Sequence, residues 1–534
     1  MAFSRLAAGV LAASLLAAPA LRADPPAVVL PAKLPLSGLA PSKLVPDLCL
    51  YRYRVSTNSP ECQAFVDQGF GYYYSYVWME AARSFETAVQ YDPDCAMAWW
   101  GLSRAMEKRP QADWKKPLLK AGDLRDKASD REQRLILARL QEKGLAPGVG
   151  DVEARKNAAI ATLDNMLAVY DDDEEAWYYR AQLACGGRDF GGDVASVPFY
   201  KALVRLNPLN PGANHELLHF YEGYQRPALG WVHAENYIKS SPGIPHPFHM
   251  QAHLATRLGR WDKTSDRSAH AIELERAYHK EMNVKPGEDA QFSHHLEILL
   301  ASLTHDGRFA EARAIKAEAE SAGFRQWMAW YRLFLAEGDW AEAQKIVDHF
   351  RRTDKTTASY LAALIYLRQG DAARAAPEVE SLRKASGEKK SDPELEYRLW
   401  ETQGLLLCQT GSEDEGLKLL AKAATRSKDD YGHHAWGNGS YFMEAWGEAA
   451  LFGGRPEVAE EAFQEALAHD PGSVRAALGL QVLCERSDRT DEAQRYAQLA
   501  RHAWAKADAR RLDAALTAMR EGHYAAPGEK PESP

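Results

Sequence analysis

Apolar and small residues recur along most of the chain at helical spacing, and no segment shows the period-two alternation of a half-buried strand. The pattern also repeats. Around GYYYSYVWMEAARSFETAVQYDP, Gly69, Ala81, Phe85, Ala88 and Pro93 are spaced 12, 4, 3 and 5. Near the other end, WGEAALFGGRPEVAEEAFQEALAHDP sets Gly447, Ala459, Phe463, Ala466 and Pro471 at the same four spacings. Such a set predicts a helical hairpin. Small residues let the two helices approach, the large apolar one fills the gap, and proline ends the second helix where its missing N–H costs nothing.

A shorter signature marks the turn inside each hairpin, with Ala five residues after Gly. It occurs at Gly307 and Ala312, Gly338 and Ala343, Gly370 and Ala375, and Gly454 and Ala459, with weaker copies at Gly259, Gly411 and Asp488. From Gly307 to Asp488 successive turns lie 31, 32, 41, 43 and 34 residues apart. This pattern resembles the tetratricopeptide repeat, whose period is about 34 residues. The resemblance implies an all-α superhelix of antiparallel helical hairpins, nine to eleven of them here, with a concave groove for a protein or peptide partner. The helical pattern continues between Asp151 and Leu206, broken by CGGRDFGGD at residues 185–193. Tyr72, Tyr73, Tyr74, Trp99 and Trp100 give the first repeats an aromatic interior.

The first residues, MAFSRLAAGVLAASLLAAPALRA, join Arg5 to an apolar run from Leu6 to Leu16 and small residues suited to cleavage. The expected organisation is a signal peptide over 1–23, a Pro-rich linker over 24–45, N-terminal repeats over 46–145, central repeats with a His-rich groove over 146–262, C-terminal repeats over 263–515 and a flexible tail over 516–534. The mature protein is then periplasmic or secreted, and no later stretch is apolar enough to span a membrane. Losing Arg5 and Arg22 with the leader takes the net charge from −9 to −11. That balance, without a basic patch, excludes nucleic acid as a partner. Six cysteines suit an oxidising compartment without forming a disulfide scaffold. Cys49 and Cys62 are the expected bridge, and Cys408 and Cys484, in apolar helical runs, the expected buried thiols.

The chemistry concentrates in two stretches. NHELLHFYE holds His215, Glu216, His219 and Glu222; HPFHMQAH holds His246, His249 and His253. His215 to His249 and His219 to His253 are each 34 residues, one repeat apart. With Gln225 and Gly259 as equivalent turns, both pairs fall on first-helix positions that the resemblance places in the groove, and His294 extends the set. Histidines four apart share a helix face, so two neighbouring helices can bring imidazoles together. His215, His219, Glu222, His249 and His253 therefore form a candidate mixed nitrogen and oxygen site for a transition metal such as zinc. The stretch also resembles a group of exported bacterial tetratricopeptide proteins with an HxxxHxxE helix followed by an HMxxH helix.

Two other readings stand beside the metal site. HELLH is also the helix of zinc peptidases, with Glu216 as general base. The sequence around Glu235 departs from the third-ligand motifs of such enzymes, and the 34-residue relation makes Glu216 an ordinary helix residue, so a binding scaffold is preferred to a metal-dependent hydrolase. Histidines can also pack and hydrogen-bond between helices with no ion at all. His433, His434, Trp436 and Asn438, in DDYGHHAWGNGSYF, read as a loop on the array edge. No phosphate-binding glycine loop and no Ser or Cys nucleophile signature is present.

Overall fold

In the computed structural model, which describes residues 28–110, 112–148, 150–184, 194–388, 392–428 and 440–523, all regular structure is helical. The leader, the loop at 185–193, His433, His434, Trp436, Asn438 and the last eleven residues lie outside the described residues. The first helices are α1 (Pro60–Tyr74), α2 (Trp78–Tyr91), α3 (Ala96–Glu107), α4 (Lys115–Asp123), α5 (Asp130–Glu142), α6 (Val152–Leu167), α7 (Glu174–Ala184) and α8 (Val197–Leu206). The middle of the array is α9 (Pro211–Gly223), α10 (Pro227–Ser240), α11 (Pro245–Arg257), α12 (Trp261–Met282), α13 (Ala290–His305), α14 (Phe309–Ser321), α15 (Trp327–Glu337) and α16 (Trp340–Thr353). It continues through α17 (Lys355–Arg368), α18 (Ala372–Glu388), α19 (Pro393–Gln409), α20 (Glu413–Ser427), α21 (Tyr441–Phe452), α22 (Pro456–His469), α23 (Val474–Arg486), α24 (Thr490–Ala503) and α25 (Arg511–Glu521). These 25 helices exceed what nine to eleven hairpins supply. The excess comes from helices such as α4 to α8 and α25, which carry no Gly-and-Ala turn signature.

Helices packed in succession, α1 on α2 and α2 on α3 through to α23 on α24, build the expected superhelix of antiparallel hairpins. The turn signature has a backbone cause. Gly259, Gly307, Gly338, Gly370, Gly411 and Gly454 have φ between 65° and 90°, and Asp488 and Gln225 reach 56°, so each first helix ends in a left-handed residue. The alanines five residues on, Ala312, Ala343, Ala375 and Ala459, are completely buried. The spacing of Gly and Phe is steric. A Cβ on Gly69 or Gly101 would stand 2.8 or 2.5 Å from the Phe85 ring, and one on Gly447 or Gly479 would stand 2.6 or 2.3 Å from Phe463. In these two hairpins a phenylalanine of the second helix, Phe85 or Phe463, therefore sits between two first helices, and only glycine lets the three approach.

The chain before α1 is docked rather than free. Glu86 accepts the backbone N–H groups of Leu36 and Ser37 at 2.6 and 2.8 Å, Thr87 that of Ser42, Gln68 that of Val45 and Asp67 that of Tyr53. The Tyr51 hydroxyl donates to Glu175 at 2.9 Å and that of Tyr53 to Asp173 at 3.0 Å. Residues 28–45 of the expected linker thus lie against the first repeats, turning once between Leu34 and Leu39. Their course also corrects the cysteine pairing. The Leu50 N–H bonds to Ser240 O at 2.7 Å and carries Cys49 to Ser241, with Sγ 3.3 Å from its hydroxyl, while the Cys62 thiol pairs with Cys95. Cys49 and Cys62 are not bridged; Cys484 is a buried free thiol and Cys408 a half-buried one.

At the far end the array curls back on its middle. Trp261 Nε1 donates to Asp470 at 3.0 Å, His305 Nε2 lies 2.9 Å from the same carboxylate, and Trp504 Nε1 donates to His305 O at 2.7 Å. These bonds tie α12 and α13 to the α22–α23 turn and to the residue after α24. They brace α13, which carries His294, and α12 beside it.

Replacing Gly479 with Leu should force Phe463 off its position and destabilise the C-terminal repeats by about 1–3 kcal/mol. Thermal unfolding followed by circular dichroism should show an earlier transition. An unchanged profile would mean that the close approach at Phe463 is not needed.

Candidate metal centre

Three first helices, α9, α11 and α13, carry the histidines. Asn210 caps α9 by accepting the Ala213 N–H, and Pro211 begins it; Gln225, with φ 56°, ends the turn that follows. Helix α11 starts on Pro245 and stops before Gly259 at φ 65°, so both helices present their HxxxH pairs in the same register. Asp289 caps α13 through the Gln291 N–H and brings His294 and His295 against α11.

The histidines converge, as the repeat register implies, but as two clusters rather than one. His215, His219 and His246 offer ligand atoms that all lie within 4.8 Å of one another, and so do His249, His253 and His294. Within the first, His246 Nε2 and His215 Nε2 are 3.0 Å apart; within the second, His253 Nε2 and His249 Nε2 are 2.9 Å apart. The clusters adjoin through His246 and His249, whose rings are 5.6 Å apart. His219 and His294 are half-buried, the other four buried.

Hydrogen bonds at the far nitrogens orient the rings. His215 Nδ1 lies 2.7 Å from Tyr74 O, a pure acceptor, so that nitrogen carries the proton and Nε2 keeps its lone pair. His253 Nδ1 lies 3.2 Å from Glu222 Oε2 and is fixed in the same sense. Glu222, expected as a ligand, is instead bonded to His253 Nδ1, and its other oxygen is 3.4 Å from Arg257 Nε. His295 Nδ1 lies 2.9 Å from Glu275 Oε1, an ion-pair contact without the alignment of a hydrogen bond. This outer shell of carbonyl and carboxylate is what metal-bound imidazoles use to fix tautomer and ring direction.

With both Nδ1 atoms donating, the paired Nε2 of His246 and of His249 must donate across to its partner. That leaves Nδ1 of each bare, and both are buried with no hydrogen-bond partner. A buried polar atom left so costs about 1–3 kcal/mol. Burial, and then the neighbouring histidines, push His215, His246 and His249 well below the usual histidine range, so these three are neutral donors at pH 7. For comparison, two imidazole nitrogens bound to one tetrahedral ion at ~2.0–2.1 Å stand roughly 3.3 Å apart.

Glu216 is turned elsewhere. It accepts from the hydroxyls of Tyr76 at 2.8 Å and Tyr178 at 3.0 Å, in the interface of α9 with the first repeats. Tyr76 is a residue the sequence reading missed. It occupies the turn position five before Ala81 with φ 58°, where other turns use glycine, and lays its ring 4.4 Å from His215 and parallel to His219. Such a conformation costs a side-chain-bearing residue about 1–2 kcal/mol. Tyr76 also stacks on Trp78 at 4.8 Å. His295 was missed too, although it neighbours His294 in sequence; its ring lies 4.0 Å from His249.

The tetratricopeptide repeat model matches residues 77–113, 328–393 and 444–508, so the histidine helices lie between the first two matched segments. The crystal structure of the APC/C hetero-tetramer Cut9–Hcn1 is 12% identical over 87% of this chain and 83% of that one, with a TM-score of 0.38. The P58(IPK) TPR domain is 12% identical over 83% of this chain and 99% of its own, with a TM-score of 0.23. No curated protein matches the chain. Over its matched residues the helical array consists of tetratricopeptide repeats.

Proposed function

We propose that the protein is an exported repeat scaffold that docks a protein partner and holds a transition-metal ion, zinc or copper(II), in its histidine groove. Export rests on the apolar leader with its small-residue cleavage sites. Partner binding rests on the repeats, whose stacked hairpins offer long surfaces suited to protein recognition. The first repeats already hold the chain's own N-terminal segment against α1 and α2, which leaves the partner the rest of the array.

One observation carries the metal reading: six imidazoles meet in two triads, with His215 and His253 tied by outer partners so that Nε2 faces inward. Packing alone would favour rings that satisfy both nitrogens, whereas Nδ1 of His246 and of His249 stays unsatisfied. Neutral nitrogen donors without a thiolate suit zinc or copper(II) better than magnesium or calcium. The position of Glu216, bonded by two tyrosines, favours a binding site over the peptidase arrangement, in which that carboxylate works on a metal-bound water.

Protein purified without a histidine tag should carry near-stoichiometric zinc or copper by elemental mass spectrometry, and the His219→Ala/His253→Ala variant should carry none. Metal absent from the native protein even after reconstitution would overturn the reading. Glu222→Gln should weaken metal affinity about 10–100-fold through loss of the His253 anchor, measured by competition with a chelating dye, whereas Glu216→Gln should leave metal content unchanged. The metal-free protein should lose stability in acid. Above pH 6.5 the buried histidines are neutral folded or unfolded; below it only the unfolded chain takes up their protons, so unfolding is favoured as pH falls. Urea midpoints at pH 7.5 and 5.5 should differ in that direction, and equal midpoints would contradict the burial of neutral rings.

A further inference from the structure

One ion would use only half of the converging imidazoles, because the histidines form two separate three-ligand sets. Each set draws on two helices: His215 and His219 of α9 with His246 of α11, and His249 and His253 of α11 with His294 of α13. No histidine serves both. His246 and His249 lie three residues apart on α11 and place the triads side by side, with ring centres 5.6 Å apart. Each triad also has its own anchor, Tyr74 O for the first and Glu222 for the second.

Three imidazoles leave a four-coordinate ion one position short, the arrangement of reactive rather than purely structural centres. The donor set brings no charge of its own. Glu222 is shared with Arg257, Glu275 faces His295, and Glu216 is held by two tyrosines, so no carboxylate sits among the six ligands. A divalent ion in either triad keeps its double charge in a buried place, and that charge draws in a small anion or lowers the pKa of a bound water. The half-buried members, His219 in one triad and His294 in the other, mark where such a ligand gains access.

We propose that the groove binds two transition-metal ions as neighbours, one per tri-histidine cluster, each with a coordination position open to water or a small anion. This rests on the metal reading above and adds to it a second ion and an exogenous ligand class.

The test is a copper(II) titration of the full-length, tag-free protein, followed by absorbance and closed by elemental analysis after desalting. The expected end point is two ions per chain. His219→Gln and His294→Gln should each retain one ion and the double variant none, with circular dichroism showing that the helices are kept. Azide added to the two-copper protein should produce an azide-to-copper charge-transfer band. An end point of one ion, lost equally in either single variant, would overturn the pair and leave a single shared site. No retained ion would overturn the metal reading itself. Two ions with no response to excess azide would overturn the open positions. The wild-type end point counts ions without relying on any variant.

Discussion

A neutral imidazole buried among others must place one proton and one lone pair, and the groove is built around that constraint. Tyr74 O and Glu222 each take a proton at Nδ1, which turns the lone pair at Nε2 of His215 and His253 toward His246 and His249. The chain of rings then ends in two nitrogens that nothing satisfies. Burial keeps these rings from relieving the conflict by protonation. An ion in each triad removes the contest within each pair, because both paired Nε2 atoms can then act as ligands while Nδ1 of His215 and of His253 keeps its proton for Tyr74 O and Glu222.

Such precision comes from the repeat. First helices that end in the same left-handed turn, at Gln225, Gly259 and Gly307, start the following helix in the same way, so HxxxH pairs one period apart come into line. Glycine against Phe85 and Phe463 sets how closely the helices of the first and last repeats stack on either side of the histidine helices. The docked N-terminal segment and the Trp261–Asp470–His305 contact hold the central helices from either side. Rigidity of this kind suits a site whose ligands come from three different helices, since small shifts between them would open the triads.

Much of this was legible in the sequence. The positive φ at the turns selects glycine and leaves a visible mark, and the 34-residue offset between the histidine pairs pointed to their convergence from neighbouring helices. The division into two clusters was not legible, because which imidazole meets which depends on the rotation between neighbouring helices, a property no local pattern carries. Tyr76 was hidden because its conformation is one that tyrosine seldom adopts, and His295 because adjacent helix residues point about 100° apart. Cys49 and Cys62 looked paired because they are close in sequence, but an extended segment carries one to α10 and leaves the other at the start of α1. That segment has no periodicity, so its docking by side chains of Gln68, Glu86 and Thr87 left no trace in its own composition.

The central claim is that imidazole nitrogen from the two triads is what binds metal, and X-ray absorption at the metal edge of the loaded protein tests it most directly. The account predicts about three imidazole ligands per ion at ~2.0–2.1 Å, with the outer-ring scattering that imidazole produces and one lighter ligand completing the shell. A shell of oxygen atoms, or of one imidazole among oxygens, would contradict it and return the histidines to the role of helix packing.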